Sequence, residues 1–197
     1  MAVNAKDVKE LREQTGAGMM DCKKALTECS GNLEEAVKLL RTRGLAAAAK
    51  RTGRATSEGL IDSYIHAGGK IGVLVEIGCE TDFVARTEDF RSFVHDIAMH
   101  VAAAAPVYIS REDIPPAQIE SELAIYRDQA RETGKPDKIL QKIAEGKLEK
   151  YFSQVCLMEQ LFVKDDKISV EHLRGELAGR LGENIEVKRF ARFELGK

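Results

Sequence analysis

The amino-acid sequence predicts an α+β fold, and three observations carry that prediction. Short amphipathic helical stripes crowd about the first 45 residues, two alternating strands flank Gly68-Gly69, and a second group of helices precedes one last alternating strand. Strands and helices are grouped rather than alternating one for one, which is the order of an α+β chain and not of a parallel sheet with crossover helices.

The elements follow in order. Val8 and Leu11 stand three apart before Thr15-Gly16 ends a first helix, and Cys22, Ala25, Leu26 and Cys29 keep the i, i+3, i+4, i+7 spacing of a second. Ser30-Gly31-Asn32 breaks the chain, and Asn32 with Glu35 three residues on has the spacing of a capping box. Leu33, Ala36, Val37 and Leu40 form a third stripe, expected to end near Gly44. A bundle of helices this short is too small to enclose a catalytic cleft, so binding is its expected role. Residues 59–66 then alternate, with Ile61, Ser63 and Ile65 against Leu60, Asp62 and Tyr64. Gly68-Gly69 can take the positive φ angles of a tight turn, and Ile71, Val73, Val75 and Ile77 line one face of the returning strand. Phe90, Phe93, Val94, Ile97, Ala98 and Val101 make a helical stripe fit to cover that sheet. Further helices are expected over roughly 116–133, 136–158 and 168–180, and a last strand over 185–195 with Ile185, Val187, Ala191, Phe193 and Leu195 facing one way.

Charge is distributed unevenly along this order. Residues 1–54 hold 11 Lys+Arg against 7 Asp+Glu, a balance of +4, while the remainder holds 19 against 25, a balance of −6. The small polar run Thr52–Gly59 has the composition of a linker. The expected organisation is a three-helix domain at 1–50, a linker at 51–59 and an α+β core domain at 60–197.

Composition removes several function classes. The 197 residues carry a net charge of −2, far from the basic balance by which nucleic-acid binders neutralise phosphate. The longest apolar runs, Leu45–Ala49 and Val101–Ile109, the second broken by Pro106, fall well short of the ~20 residues of a membrane span. The opening Met1-Ala2-Val3-Asn4-Ala5-Lys6-Asp7 has no apolar core of a secretory signal. Cys22, Cys29, Cys79 and Cys156 are scattered, as in a reduced cytoplasmic protein. A cytoplasmic location is expected.

Catalytic motifs are missing as well. There is no G-x-x-x-x-G-K-[ST] phosphate loop. Gly16-Ala17-Gly18 begins a dinucleotide fingerprint, but Asp21 stands in the third glycine's place and the stretch follows a helix rather than a strand. His95 and His100, five apart, would diverge by about 140° on a helix, which is poor geometry for a shared metal. No paired acid and base is visible, so no enzyme, cofactor or metal site is expected.

Two stretches ask for an explanation. In Thr15-Gly16-Ala17-Gly18-Met19-Met20-Asp21-Cys22-Lys23-Lys24, adjacent methionines open a helix and point about 100° apart, so both cannot sit centrally in one small core. Core packing and contact with a partner both remain open for them. In Cys79-Glu80-Thr81-Asp82-Phe83-Val84-Ala85-Arg86, a strand-to-helix connection, Phe83 is either a cap on the core together with Val84 or a protruding wedge.

Together these stretches bring a family into view. Leu11-Arg12-x-x-Thr15-Gly16-Ala17-Gly18-Met19-Met20-Asp21, Thr81-Asp82-Phe83-Val84-Ala85-Arg86, Gly182-Glu183-Asn184-Ile185 and Arg192-Phe193-Glu194-Leu195-Gly196 occur in an order and spacing covering nearly the whole chain. The sequence resembles the elongation factor Ts family, guanine-nucleotide exchange factors for elongation factor Tu. That resemblance implies a ubiquitin-associated-like three-helix domain ahead of an α+β core. It implies that Arg12, Met19, Met20 and Lys23 contact the partner's nucleotide domain. It implies that Thr81, Asp82, Phe83 and Val84 intrude near the partner's Mg²⁺, with Phe83 as the wedge and Asp82 holding the displaced backbone. His66, Leu181 and Gly182 map onto contacts with another partner domain. Longer members carry a second half of the core and an inserted helical hairpin, for both of which 197 residues leave no room, so a homodimer is expected. No direct binding of nucleotide, nucleic acid or membrane is implied. The alternative is a non-catalytic interaction adaptor built on the three-helix domain, a reading that leaves Phe83 without a role.

Overall fold

The computed structural model describes residues 3–132 and 136–197. In chain order the elements are α1 (Ala5–Thr15), α2 (Met19–Glu28), α3 (Leu33–Ala49), β1 (Glu58–Ile65), β2 (Ile71–Cys79), α4 (Asp82–Ala85), α5 (Glu88–Ala104), α6 (Pro116–Arg131), α7 (Asp137–Val155), β3 (Leu161–Phe162), β4 (Asp165–Ser169), α8 (Val170–Leu181) and β5 (Ile185–Glu194). This is the expected α+β architecture, with three helices leading. The chain divides into two compact units. One comprises the chain up to Ile61 with Glu76–Val94 and His172–Lys188; the other comprises Asp62–Val75, His95–Glu171 and Arg189–Lys197.

In the first unit the leading helices close around Val8, Leu11, Cys22, Ala25, Leu26 and Ala36, all buried. Asn4 Oδ1 accepts the Lys6 N–H (3.1 Å) to cap α1, and Asn32 Oδ1 accepts the Glu35 N–H (3.1 Å) to cap α3. Each satisfies one of the amides that a helix start leaves unpaired. The third helix does not stop near Gly44 but runs on to Ala49. Its glycine is a packing position: Gly44 lies against Gly179 of α8, where a Cβ on Gly179 would meet Gly44 backbone atoms at 2.7–2.8 Å. Two helices can approach this closely only where a side chain is missing.

Strands β1, β2 and β5 form one sheet in the order β1-β2-β5. The hairpin between β1 and β2 closes through the His66 N–H to Ile71 O (2.9 Å), with Gly68 and Gly69 at φ 89° and 68° as their missing side chains permit. Val73, Val75 and Ile77 are buried along β2. On β5, Ile185 and Val187 are buried, whereas Ala191, Phe193 and, just past the strand, Leu195 are exposed. The expected single face is not kept: the alternation shifts at Lys188 and Arg189, which are both exposed, and beyond them Phe190, Arg192 and Glu194 are the half-buried positions, with Arg192 donating to Ala102 O.

In the second unit α6 and α7 pack as a helical pair, and Ile114, Phe152 and Cys156 form a small core with Tyr108, Ile119 and Leu148. Arg111 ties the base of the pair. Its guanidinium lies 4.4 Å from the Phe152 ring centroid and bonds both Glu149 (2.6 Å) and Glu159 (2.6 Å). Helix α7 ends at Val155, before the expected 158, and the hairpin of β3 and β4 occupies ground where no strand was anticipated. His100 is fully buried, its Nδ1 accepting the Val163 N–H (3.2 Å) and its Nε2 paired with Gln160 Oε1 (3.0 Å). Among the described residues no helix is long and apolar enough to cross a membrane.

Candidate functional site

The site is built around a single helical turn. Thr81 leaves β2 in extended conformation, and its hydroxyl accepts the Val84 N–H (3.4 Å) to cap α4. This turn sorts its apolar side chains by direction. Val84 and Ala85 are each 8% exposed, while Phe83 is 80% exposed. Of the two readings of this stretch, the structure supports projection for Phe83 and core capping for Val84. Asp82 pairs with Arg86 one turn on, at 2.9 Å.

The backbone beneath the turn is held from a distant part of the chain. Glu183 Oε2 accepts both the Glu80 and Thr81 N–H groups (3.0 Å each), and its Oε1 accepts the Thr81 hydroxyl (2.6 Å). In return Glu80 Oε1 accepts the Asn184 N–H (2.7 Å), and the Asn184 amide donates to Arg54 O (2.9 Å). Cys79 Sγ donates to Thr81 O (3.2 Å). Burial, with the Glu183 charge nearby, pushes its thiol up to about 11, so it stays a neutral donor at physiological pH.

A second exposed apolar group lies at the start of α2. Met19 is 44% and Met20 64% exposed, outside the core made by Cys22, Ala25 and Leu26. Core packing is therefore not their role. Lys23 on α2 and Arg12 on α1 are also exposed. The loop between these helices meets α8, because the Arg180 side chain crosses Gly16, its Cδ 2.5 Å from where a Cβ would stand, and reaches Asp89 (3.5 Å). Leu181, half-buried, ends α8, and Gly182 is exposed beyond it.

The first unit thus holds Arg12, Met19, Met20, Lys23, Thr81, Asp82, Phe83, Val84, Leu181 and Gly182. His66 belongs to the second unit, exposed at the end of β1 with Nδ1 3.2 Å from the Tyr64 hydroxyl. Two residues that organise the site, Glu183 and Arg180, were not among the expected ones. Glu183 stands 102 positions from Thr81, and no local pattern announces that contact. Among the described residues no group of three or more His, Cys, Asp or Glu is arranged to hold a metal ion.

An α+β chain that holds a phenylalanine out from a capped turn, and a methionine pair out from a helix start, is suited to contact with another macromolecule. Comparison with known proteins makes its class specific: it is a translation elongation factor. The family described as Elongation factor TS matches residues 1–197. The chain is 58% identical to Elongation factor Ts of Geobacter sulfurreducens over 197 residues, covering 100% of this chain and 91% of that protein. It is also 58% identical to that of Koribacter versatilis over 196 residues (100% and 90%), and 57% identical to that of Acetivibrio thermocellus over 195 (99% and 91%). The chain belongs to the elongation factor Ts family.

Proposed function

We propose that this protein is a cytoplasmic guanine-nucleotide exchange factor that binds elongation factor Tu carrying GDP and speeds release of the nucleotide. The observation that carries the reading is Phe83, a large apolar side chain 80% exposed on a turn whose neighbours Val84 and Ala85 are buried. A solvated phenylalanine on a fixed backbone loses little conformational entropy on docking and gains by burial. Phe83 enters an apolar gap of the partner, Asp82 exchanges its Arg86 contact for hydrogen bonds to the displaced backbone, and Thr81 and Val84 fix the turn. The partner's Mg²⁺, which neutralises phosphate charge, is dislodged and GDP leaves.

Arg12, Met19, Met20 and Lys23 grip the nucleotide domain through a leading domain of ubiquitin-associated type, and His66, Leu181 and Gly182 meet a second partner domain. The protein makes and breaks no bond and is not an enzyme. Its whole effect is a coupling free energy: it binds the nucleotide-free partner better than the GDP-bound one, and about 3 kcal/mol of that preference changes GDP affinity by over a hundredfold. Two copies pair through the open sheet face, where Ile65, Leu74 and Phe193 are each at least half exposed. Light scattering at working concentration tests the pairing, and a stable monomer would argue against it.

The function itself is tested by stopped-flow release of fluorescent GDP from purified elongation factor Tu. Strong acceleration by this protein is expected. No acceleration by well-folded protein would overturn the proposal.

A further inference from the structure

We infer that Glu183 is the positioning residue of the Phe83 turn, acting on nucleotide release through Thr81 without touching the partner's nucleotide or metal. The inference rests on the exchange function proposed above. A single-turn helix has no stability of its own, since nucleation consumes more backbone entropy than one hydrogen bond returns. The direction in which α4 presents Phe83 therefore depends on what fixes its first residues, together with the burial of Val84 and Ala85. Glu183 does this three times over, with one carboxylate accepting the Glu80 N–H, the Thr81 N–H and the Thr81 hydroxyl. Bonds to an ionised acceptor are the stronger kind.

The third bond has a further consequence. The Thr81 hydroxyl has one proton, and at 2.6 Å that proton is committed to Glu183 Oε1. The hydroxyl lone pairs are then left to receive the Val84 N–H. Glu183 thus orients the cap as well as the backbone before it. The cap is long at 3.4 Å and is weak alone. The reciprocal bond from the Asn184 N–H to Glu80 Oε1 locks the same two segments from the other side.

The test measures GDP release from elongation factor Tu against concentration of the full chain, for wild type, Glu183→Ala, Glu183→Gln, Thr81→Ala and Thr81→Ser, beside amide hydrogen–deuterium exchange at Thr81 and Val84 in the free protein. Glu183→Ala is expected to lower the plateau rate about tenfold or more while the half-saturating concentration moves by less than about twofold, because the Met19-Met20 grip is untouched. Glu183→Gln, whose amide oxygen still accepts the backbone N–H groups but whose NH2 cannot accept the Thr81 hydroxyl proton, recovers part of the plateau. Thr81→Ala falls with Glu183→Ala, and Thr81→Ser is restored. Amide exchange at Val84 quickens most in Glu183→Ala and less in Glu183→Gln. A raised half-saturating concentration with an intact plateau is the mark of fewer folded molecules and would overturn the positioning role. So would an unchanged plateau, or unchanged Val84 exchange. Wild type that fails to accelerate release sinks the exchange reading alone, and the Val84 arm still decides whether Glu183 holds the turn.

Discussion

Replacing Phe83 by alanine separates stability from function. Were this side chain part of the core, its truncation would remove roughly 3–5 kcal/mol. A chain of this size loses about 2–4 °C of Tm per kcal/mol, so the midpoint would fall by roughly 6–20 °C. At 80% exposure there is little buried area to lose, and the change should stay within about 0.5 kcal/mol, or at most about 2 °C. Docked in an apolar gap, the same side chain contributes roughly 1.5–3 kcal/mol. At 1.4 kcal/mol per decade its loss should slow assisted GDP release by about 10- to 150-fold. Differential scanning fluorimetry and stopped-flow release read the two effects on one preparation. A midpoint lowered by more than about 5 °C would refute the reading of Phe83 as a projecting group, and full acceleration by a stable variant would refute its role as the wedge.

Two further predictions concern the scaffold. Gly179→Ala places a Cβ 2.7 Å from the Gly44 carbonyl group, a backbone neighbour that cannot step aside, and should cost about 1–3 kcal/mol in thermal melts; Gly44→Ala, whose Cβ meets Gly179 Cα at an ordinary 3.7 Å, should cost little or stabilise. Equal losses at the two positions would mean that the crossing is not as close as described. His100 needs an unprotonated Nδ1 to accept the Val163 N–H, and burial holds its pKa below the ordinary value despite the Gln160 contact. The unfolded chain therefore takes up the proton more readily, and stability is fully present above about pH 6.5 and declines as pH falls through it, by up to about 1.4 kcal/mol per pH unit. Glu186, Glu149 and the other carboxylates held below their usual range lose their contribution only below about pH 5. Melts between pH 7.5 and 5 should show this slope in the wild type and a smaller one in His100→Gln; identical slopes would rule the histidine out.

How far the sequence discloses this protein depends on the range of the forces involved. The stripe Cys22, Ala25 and Leu26 is visible because helical periodicity is local, and those residues are buried where the spacing puts them. Gly44 was expected to end a helix because glycine usually does; it continues α3 because its contact, Gly179, lies far along the chain. The β3–β4 hairpin carries no sequence signal, because Asp165-Asp166-Lys167 has no apolar alternation to mark a strand. At the site, Phe83 and Val84 are adjacent apolar residues that composition cannot tell apart. The Thr81 cap marks where the turn begins, and on that turn Phe83 faces outward and Val84 inward. The Glu183 clamp that holds Thr81 is a tertiary contact with no local signature.

The central claim is thermodynamic, a preference for nucleotide-free elongation factor Tu over its GDP complex. Isothermal titration of this protein into the two forms under the same buffer measures it directly. The account predicts binding to the nucleotide-free form tighter by about a hundredfold or more, with GDP affinity weakened by the same factor when this protein is bound. Equal affinity for both forms would contradict it, because a ligand that does not distinguish two states cannot shift the balance between them.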